Sequence, residues 1–297
     1  MNFEEERKER LERIEKLLCE YLPEEEGLQK RIMEAINYSV LAGGKRLRPM
    51  LMLESYQLFG GKEKVIEPFM AAIEMIHTYS LIHDDLPAMD NDLYRRGRKT
   101  THAVYGEAMA ILAGDGLLNL AYETAAKAFL FKPGDETVER AFSILLSKAG
   151  IYGMVGGQTV DVLAEKERLR LTKEQLLYIH ANKTAALIQA PLMIGAVLAG
   201  ADTKAVETME KIGYNVGIAF QIRDDILDVT GTLEELGKPI GSDKEQGKET
   251  YITLFGMEAA RKDEEKLSQE AISKLGEIGA KETFLAELIG SLINRRK

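Results

Sequence analysis

The sequence predicts an all-α protein, a single helical bundle of about ten or more helices. Three observations carry this. Ala, Leu, Glu, Lys and Met are abundant while β-branched runs are few, a composition that favours helix. Apolar residues recur at helical spacing through long windows. The breaks between windows fall at glycine pairs and at several of the 7 prolines.

Taken in order, residues 4–20 form an amphipathic window with Leu11, Ile14 and Leu18 on one face. Residues 28–42 follow and stop at Gly43-Gly44. Pro49 is placed to start the next helix, which ends by Gly60-Gly61. Residues 67–85 are strongly apolar, and Pro87 terminates or bends that helix. Residues 107–131 run up to Pro133-Gly134, and 135–163 read as one apolar window rich in small residues. Thr172 is a suitable N-cap for the helix that carries Lys183-Thr184. Residues 205–229 form a further helix with Gly231 at its end; 237–248 read as a polar loop, and helices resume at Thr253. Several windows are apolar on more than one face, which places them inside the bundle or at a subunit interface.

The 297 residues contain no linker, low-complexity tract or short repeat, so 1–297 is expected to form one domain. Hydrophobic residues make up 45% and charged residues 29%, enough for a large core. The net charge of -9 speaks against a nucleic-acid partner, although local basic clusters can still bind small anions. Cys19 is the only cysteine, which fits a reducing compartment. Residues 1–20 are charged and lack the apolar core of a signal peptide. The longest weakly polar run, 184–200, is short for a membrane span and is interrupted by Gln189 and Pro191. A cytoplasmic location with no membrane span is therefore expected.

Four constellations carry chemistry. Asp84, Asp85, Asp90 and Asp92 crowd the end of an apolar helix, where mutual repulsion needs solvent or a cation to offset it. A straight helix would put Asp84 and Asp90 on different faces, but a break at Pro87 lets the chain fold back. In the second, Asp224 and Asp228 share a face at i and i+4, with Asp225 one step round and Ile222, Ile226 and Leu227 beside them. Two acidic stripes with oxygen-only donors suit Mg²⁺ bridging carboxylates and a substrate's phosphates. The 4 histidines and single cysteine show no zinc spacing. The third is Gly43-Gly44-Lys45-Arg46-Leu47-Arg48-Pro49, free backbone followed by three cations, which suits a diphosphate. It lacks the spacing of a phosphate-binding P-loop. The fourth, Arg95-Arg96-Gly97-Arg98-Lys99, follows the first acidic run and could hold a metal–diphosphate complex from the other side. Singly, each run also reads as an ordinary charged turn or solvated helix end.

Together, GGKRLRP, DDLPAMDND with RRG, GMVGGQ, KTAALI, FQIRDDILD and GKPIGSDKEQGKETY make the chain resemble the trans-isoprenyl diphosphate synthases. The order and spacing agree from about residue 35 to 261, and bacterial farnesyl diphosphate synthases are the most similar group. The resemblance implies an isoprenoid-synthase bundle around a central cavity, working as a homodimer. It makes Asp84, Asp85 and Asp90 the first aspartate-rich motif and Asp224, Asp225 and Asp228 the second, together holding three Mg²⁺ on the allylic diphosphate. It assigns isopentenyl diphosphate to Gly44, Lys45, Arg48, His77 and Arg96. It assigns the allylic diphosphate to Arg95, Lys183, Thr184, Gln221 and Lys238, with Lys248 a further basic position. Asp84, Asp85, Asp90, Lys183 and Asp224 are the implied catalytic set.

The implied reaction is Mg²⁺-dependent prenyl transfer. Diphosphate leaves an allylic substrate, dimethylallyl or geranyl, the double bond of isopentenyl diphosphate attacks, and a proton is lost to the released diphosphate. By the same resemblance an aromatic at Tyr79, with Ser80 beside it, goes with a fifteen-carbon farnesyl product, and a smaller residue with twenty carbons. Tyr79 also reads as a plain core aromatic. The competing readings are a geranylgeranyl diphosphate synthase and a non-catalytic regulatory subunit of the same fold. A terpene cyclase or a Ca²⁺-binding helical scaffold leaves the basic runs unexplained. Leu93-Tyr94 and Arg223 depart from the common pattern of the family.

Overall fold

A computed structural model describes residues 2–230 and 249–293. Gly231 and the whole of the expected loop 237–248, with Lys238 and Lys248, lie outside the described residues. The helices are α1 (Phe3–Tyr21), α2 (Lys30–Val40), α3 (Leu47–Leu58), α4 (Glu67–Asp84), α5 (Thr101–Tyr105), α6 (Glu107–Ala126), α7 (Ala128–Phe131) and α8 (Glu136–Ala149). They continue as α9 (Met154–Lys166), α10 (Lys173–Ile179), α11 (Ala186–Leu198), α12 (Thr203–Thr230), α13 (Tyr251–Phe255), α14 (Met257–Glu277) and α15 (Phe284–Ile293). The expected all-α architecture is observed.

The centre is built from α4, α6, α11 and α12. Helix α4 packs against α6 and α3, and α11 against α3, α8 and α12. Every residue of α11 is buried, because its sequence is apolar on all faces and neighbours surround it. Residues 64–84 and 173–198 are long and apolar enough to cross a membrane, but 78% of each window is buried inside the bundle. They are core helices here. The first and last elements meet: Arg10 of α1 stacks on the ring of Phe284 at 3.8 Å, and α15 packs on α3 and α12.

The structure corrects three boundaries. Helix α3 begins at Leu47, and Pro49 sits within its first turn, where a missing N–H is harmless. The apolar window 135–163 is two helices. At Gly153 a Cβ would stand 2.2 Å from the carbonyl oxygen of Lys148, so the chain turns there on a bare backbone. The window 107–131 likewise divides at Lys127. Two features went unforeseen. Tyr94–Arg95 and Arg98–Lys99 pair as a two-residue antiparallel hairpin (β1, β2). Its turn residues Arg96 (φ 52) and Gly97 (φ 75) both take positive φ, as a type I′ turn requires. His180–Ala185, between α10 and α11, winds as a π-helix. Such widened turns occur mostly where a helix serves a site.

Candidate active site

Helix α4 delivers Asp84 at its last turn, with Asp85 as C-cap. Just beyond, the chain folds back as the position of Pro87 predicts, and the backbone N–H of Asp90 donates to the carbonyl of Asp84 at 2.9 Å. Asp84 Oδ1 accepts from Gln158 Nε2 at 2.7 Å. The buried Asp85 accepts from Arg95, Nε at 2.7 Å and Nη2 at 2.6 Å. Burial pushes the carboxyl of Asp84 up to about 6; Asp90 and Asp85 push the same way, and Lys183 and Arg95 oppose them.

The second motif lies on α12. Thr184 Oγ1 donates to Gln221 Oε1. Asp224 follows three residues later on the same side, about 4.5 Å further along the axis. Asp225 and Asp228 are buried, and Asp225 Oδ2 accepts from the backbone N–H of Tyr251 at 2.6 Å. Arg223 lies near Glu264 of α14, which offsets its charge from that side.

Helix α9 joins the two motifs. Gln158 holds Asp84, and Asp161, one turn on, accepts from Lys183 Nζ at 2.5 Å. Hydrogen bonds thus tie α9 to Asp84 through Gln158 and to Lys183 through Asp161, and tie Thr184 to Gln221, about one turn before Asp224 on α12. Gln158 and Asp161 were not singled out from the sequence. Their signal was there: Gln and Asp at i and i+3 inside the otherwise apolar GMVGGQTVD. Close packing makes the junction possible. A Cβ at Gly157 would stand 2.1 Å from the backbone nitrogen of Lys183, and one at Gly217 would stand 2.4 Å from Ala185 Cβ.

The basic run does not act as a unit. Arg46, in the left-handed region at φ 44, turns inward to Glu15 (2.7 Å), Glu74 (2.8 Å) and the carbonyl of Val40 (2.6 Å). It is a buried structural ion, a correction to counting it among the three diphosphate-binding cations. Lys45 and Arg48 face a cavity of about 920 Å³, together with Gly44, His77 and Arg96. Gly44 must be glycine, since its φ is 139° and a Cβ would stand 2.6 Å from Arg96 Nη1. Burial and the adjacent Arg96 pull Arg48 down to about 10 against the pull of Glu74. Burial and four arginines hold His77 neutral, well below its ordinary value. Cations crowded in this way favour an anion.

A second cavity, about 510 Å³, opens beside Asp84. Arg48, His77, Asp84, Lys183 and Thr184 line its polar side, and Tyr79, Met89, Met154, Val162 and Leu187 its apolar side. Arg48 and His77 line both cavities, so a basic chamber and a largely apolar chamber that carries Asp84 meet there. Asp85, Asp90 and the three aspartates of α12 line neither of these two cavities. The hairpin turn separates neighbouring arginines: Arg95 goes to Asp85, and Arg96 donates to the carbonyl of Gly43.

The polyprenyl synthetase family profile matches residues 29–288. The chain belongs to the polyprenyl synthetase family. A geranylgeranyl diphosphate synthase of Cyanophora paradoxa is 43% identical over 97% of this chain and 94% of that protein. A farnesyl diphosphate synthase of Geobacillus stearothermophilus is 42% identical over 95% of each. The crystal structure of a Helicobacter pylori geranyltransferase, complexed with magnesium and isoprenyl diphosphate, superposes with a TM-score of 0.83 at 33% identity, covering 99% of this chain and 97% of that one. This polyprenyl synthetase is thus a prenyltransferase of isoprenoid synthesis.

Magnesium is expected in the family, and the donor set fits it. Among the described residues no three His, Cys, Asp or Glu side chains are grouped closely enough to hold an ion by themselves. The donors at Asp84, Asp85 and Asp90 are oxygen-only, the type Mg²⁺ takes together with waters and substrate phosphates. The buried Gln158 Oε1, beside Asp84, lacks a protein hydrogen-bond partner and offers one more oxygen at the rim.

Proposed function

We propose that the protein is a farnesyl diphosphate synthase, adding isopentenyl diphosphate to dimethylallyl and then geranyl diphosphate. The junction of the two cavities at Arg48 and His77 carries the reading, because it sets a basic chamber against a largely apolar one that carries Asp84 and Lys183. Gly44, Lys45, Arg48, His77 and Arg96 hold the isopentenyl diphosphate. Asp84, Asp85, Asp90, Asp224, Asp225 and Asp228 would hold magnesium, which when bound supplies positive charge to the diphosphate of the allylic substrate. Lys183, Thr184, Arg95 and Gln221 add cationic and hydrogen-bonding contacts to that group.

The allylic C–O bond breaks and its electron pair leaves with the diphosphate. The double bond of isopentenyl diphosphate then forms the new C–C bond, and the proton it loses goes to the released diphosphate. Met89, Met154, Val162 and Leu187 keep water from the allylic cation.

Chain length falls to Tyr79, about 7.5 Å before Asp84 along α4. Its ring is buried in the wall of the apolar chamber, edge-on to His83 with centroids 5.9 Å apart. His83 in turn lies against Gly114, where a Cβ would stand 2.1 Å from its Nε2. A ring supported in this way can act as a floor for the growing tail. The Cyanophora relative favours a second reading, a twenty-carbon product.

The test is product analysis with purified protein, Mg²⁺, isopentenyl diphosphate and dimethylallyl diphosphate. A fifteen-carbon product that lengthens to twenty carbons in Tyr79→Ala supports the proposal. Twenty carbons from the unmodified protein would replace it with the geranylgeranyl reading. No condensation by folded protein would point to a regulatory subunit.

A further inference from the structure

One contact ties the second aspartate motif to a distant part of the chain. The backbone N–H of Tyr251 donates to Asp225 Oδ2 at 2.6 Å, across 26 positions of sequence. The rest of Tyr251 is held on three sides. Its ring is buried, lies nearly parallel to His180 with centroids 6.3 Å and planes 22° apart, and touches Phe255 at 4.4 Å between centroids. Its hydroxyl donates to Asp263 Oδ2 of α14 at 2.7 Å. Thr250, at the N-cap, accepts from Thr253 N–H through its side chain and donates its own N–H back to Thr253 Oγ1, which fixes the backbone on the other side. An amide pinned in this way presents its N–H to Asp225 in one direction.

The other end of the arrangement is the π-helix. His180 is its first residue, and Lys183 and Thr184 lie within the same turn. The residue that orients Asp225 therefore stacks on the turn that carries the proposed allylic diphosphate contacts.

We propose that Tyr251 is a positioning residue that orients the Asp225 carboxylate for the cation-bound allylic diphosphate, with Asp263 and His180 as its anchors. Outer partners of metal-holding carboxylates fix which oxygen is presented and in which direction, and losing them weakens metal affinity by about 10- to 100-fold. Tyr251 touches no substrate in this scheme and acts only through Asp225. The inference rests on the reading of Asp224, Asp225 and Asp228 as the second cation-holding motif.

The test uses geranyl thiolodiphosphate, whose bridging sulfur prevents the carbon–diphosphate bond from ionising. Its binding is measured calorimetrically over a range of Mg²⁺ concentrations in full-length protein, and isopentenyl diphosphate binding is measured alongside. The variants are Tyr251→Phe, Asp263→Ala, the double variant and Tyr251→Ala. The two single changes remove the same anchor, so each should raise the Mg²⁺ requirement to a similar degree, and the double variant should be no worse than either. Tyr251→Ala, which also loses the ring, should raise it about tenfold or more. Isopentenyl diphosphate binding should not change. Should Tyr251→Ala fail to fold, Asp263→Ala still decides the matter, since Asp263 is only half-buried. An unchanged Mg²⁺ requirement in Asp263→Ala and Tyr251→Phe overturns the inference and leaves the second motif standing. Equal losses for both ligands also overturn it, since they mark a general structural role. Mg²⁺-independent binding by the unmodified protein overturns the motif reading and the inference together.

Discussion

Arg46 and Arg48 stand two positions apart in one basic run, yet their side chains meet different surroundings. Arg46 closes a buried ion cluster with Glu15 and Glu74. Arg48 lines both cavities, and its Nε has no protein partner. Replacing Arg46 with Met strands Glu74, which is 2% exposed, and should cost about 3–5 kcal/mol in chemical denaturation. Arg48→Met removes a cation already disfavoured by burial and Arg96, so folding stability should change by less than about 1 kcal/mol. Its KM for isopentenyl diphosphate should rise about tenfold or more, the worth of a charge-assisted hydrogen bond. Gln158→Met keeps the length of the side chain and removes the bond to Asp84. The expected result is about a tenfold higher Mg²⁺ requirement in binding titrations, with the melting temperature little changed.

At the level of elements, the glycines of α9 and α12 decide how closely two helices approach the π-turn. Gly157→Ala puts a methyl group against the backbone of Lys183, and backbone cannot swing aside as a flexible side chain can. Overpacking of this kind costs about 1–3 kcal/mol, and here it also displaces the proposed diphosphate contact. The variant should lose stability and turnover together, read by denaturation and by initial rates. Gly276→Ala is the matched control. It lies exposed in α14 with nothing within 4 Å of the added Cβ, so helix propensity alone should stabilise it by about 0.5–1 kcal/mol. The same elements show how local structure could be read from sequence. The Thr172 cap, the fold-back after Pro87 and the extents of α2 and α12 follow from short-range rules. The split of 135–163 was missed, because the requirement at Gly153 comes from a carbonyl five residues back and not from its flanking pattern.

At the scale of the whole molecule, His180 is buried in neutral form, and His77, half-buried between the two cavities, is held neutral as well. Burial takes His180 down to about 4, with Asp161 opposing, and His77 shifts in the same direction. Between pH 6.5 and 4 the unfolded chain therefore binds a proton at position 180 that the folded chain refuses. The stability tied to His180 is complete above pH 6.5 and falls as pH drops toward 4, by about 1.4 kcal/mol per pH unit. Denaturation midpoints of the native protein and His180→Phe should diverge from pH 7 to pH 5. The native protein should lose about 2 kcal/mol more than the variant over that range. Equal losses in the two would place the pH sensitivity elsewhere.

Residue order by itself determined the helical class, most helix extents, both aspartate motifs and the basic runs, because helical periodicity, caps and like-charge crowding act within a few positions. The same order could not show which member of a run faces the site. As members of one basic run Arg46 and Arg48 look alike, and although the family resemblance named Arg48 alone, the physical reason appears in the left-handed backbone at Arg46, which turns it toward Glu74. Gln158 and Asp161 looked like incidental polar residues until α9 packed against the π-turn and brought them to Asp84 and Lys183. The link from Tyr251 to Asp225 has no local signature at all. Long-range contacts of this kind depend on how close neighbouring helices approach, and only the folded bundle sets that distance.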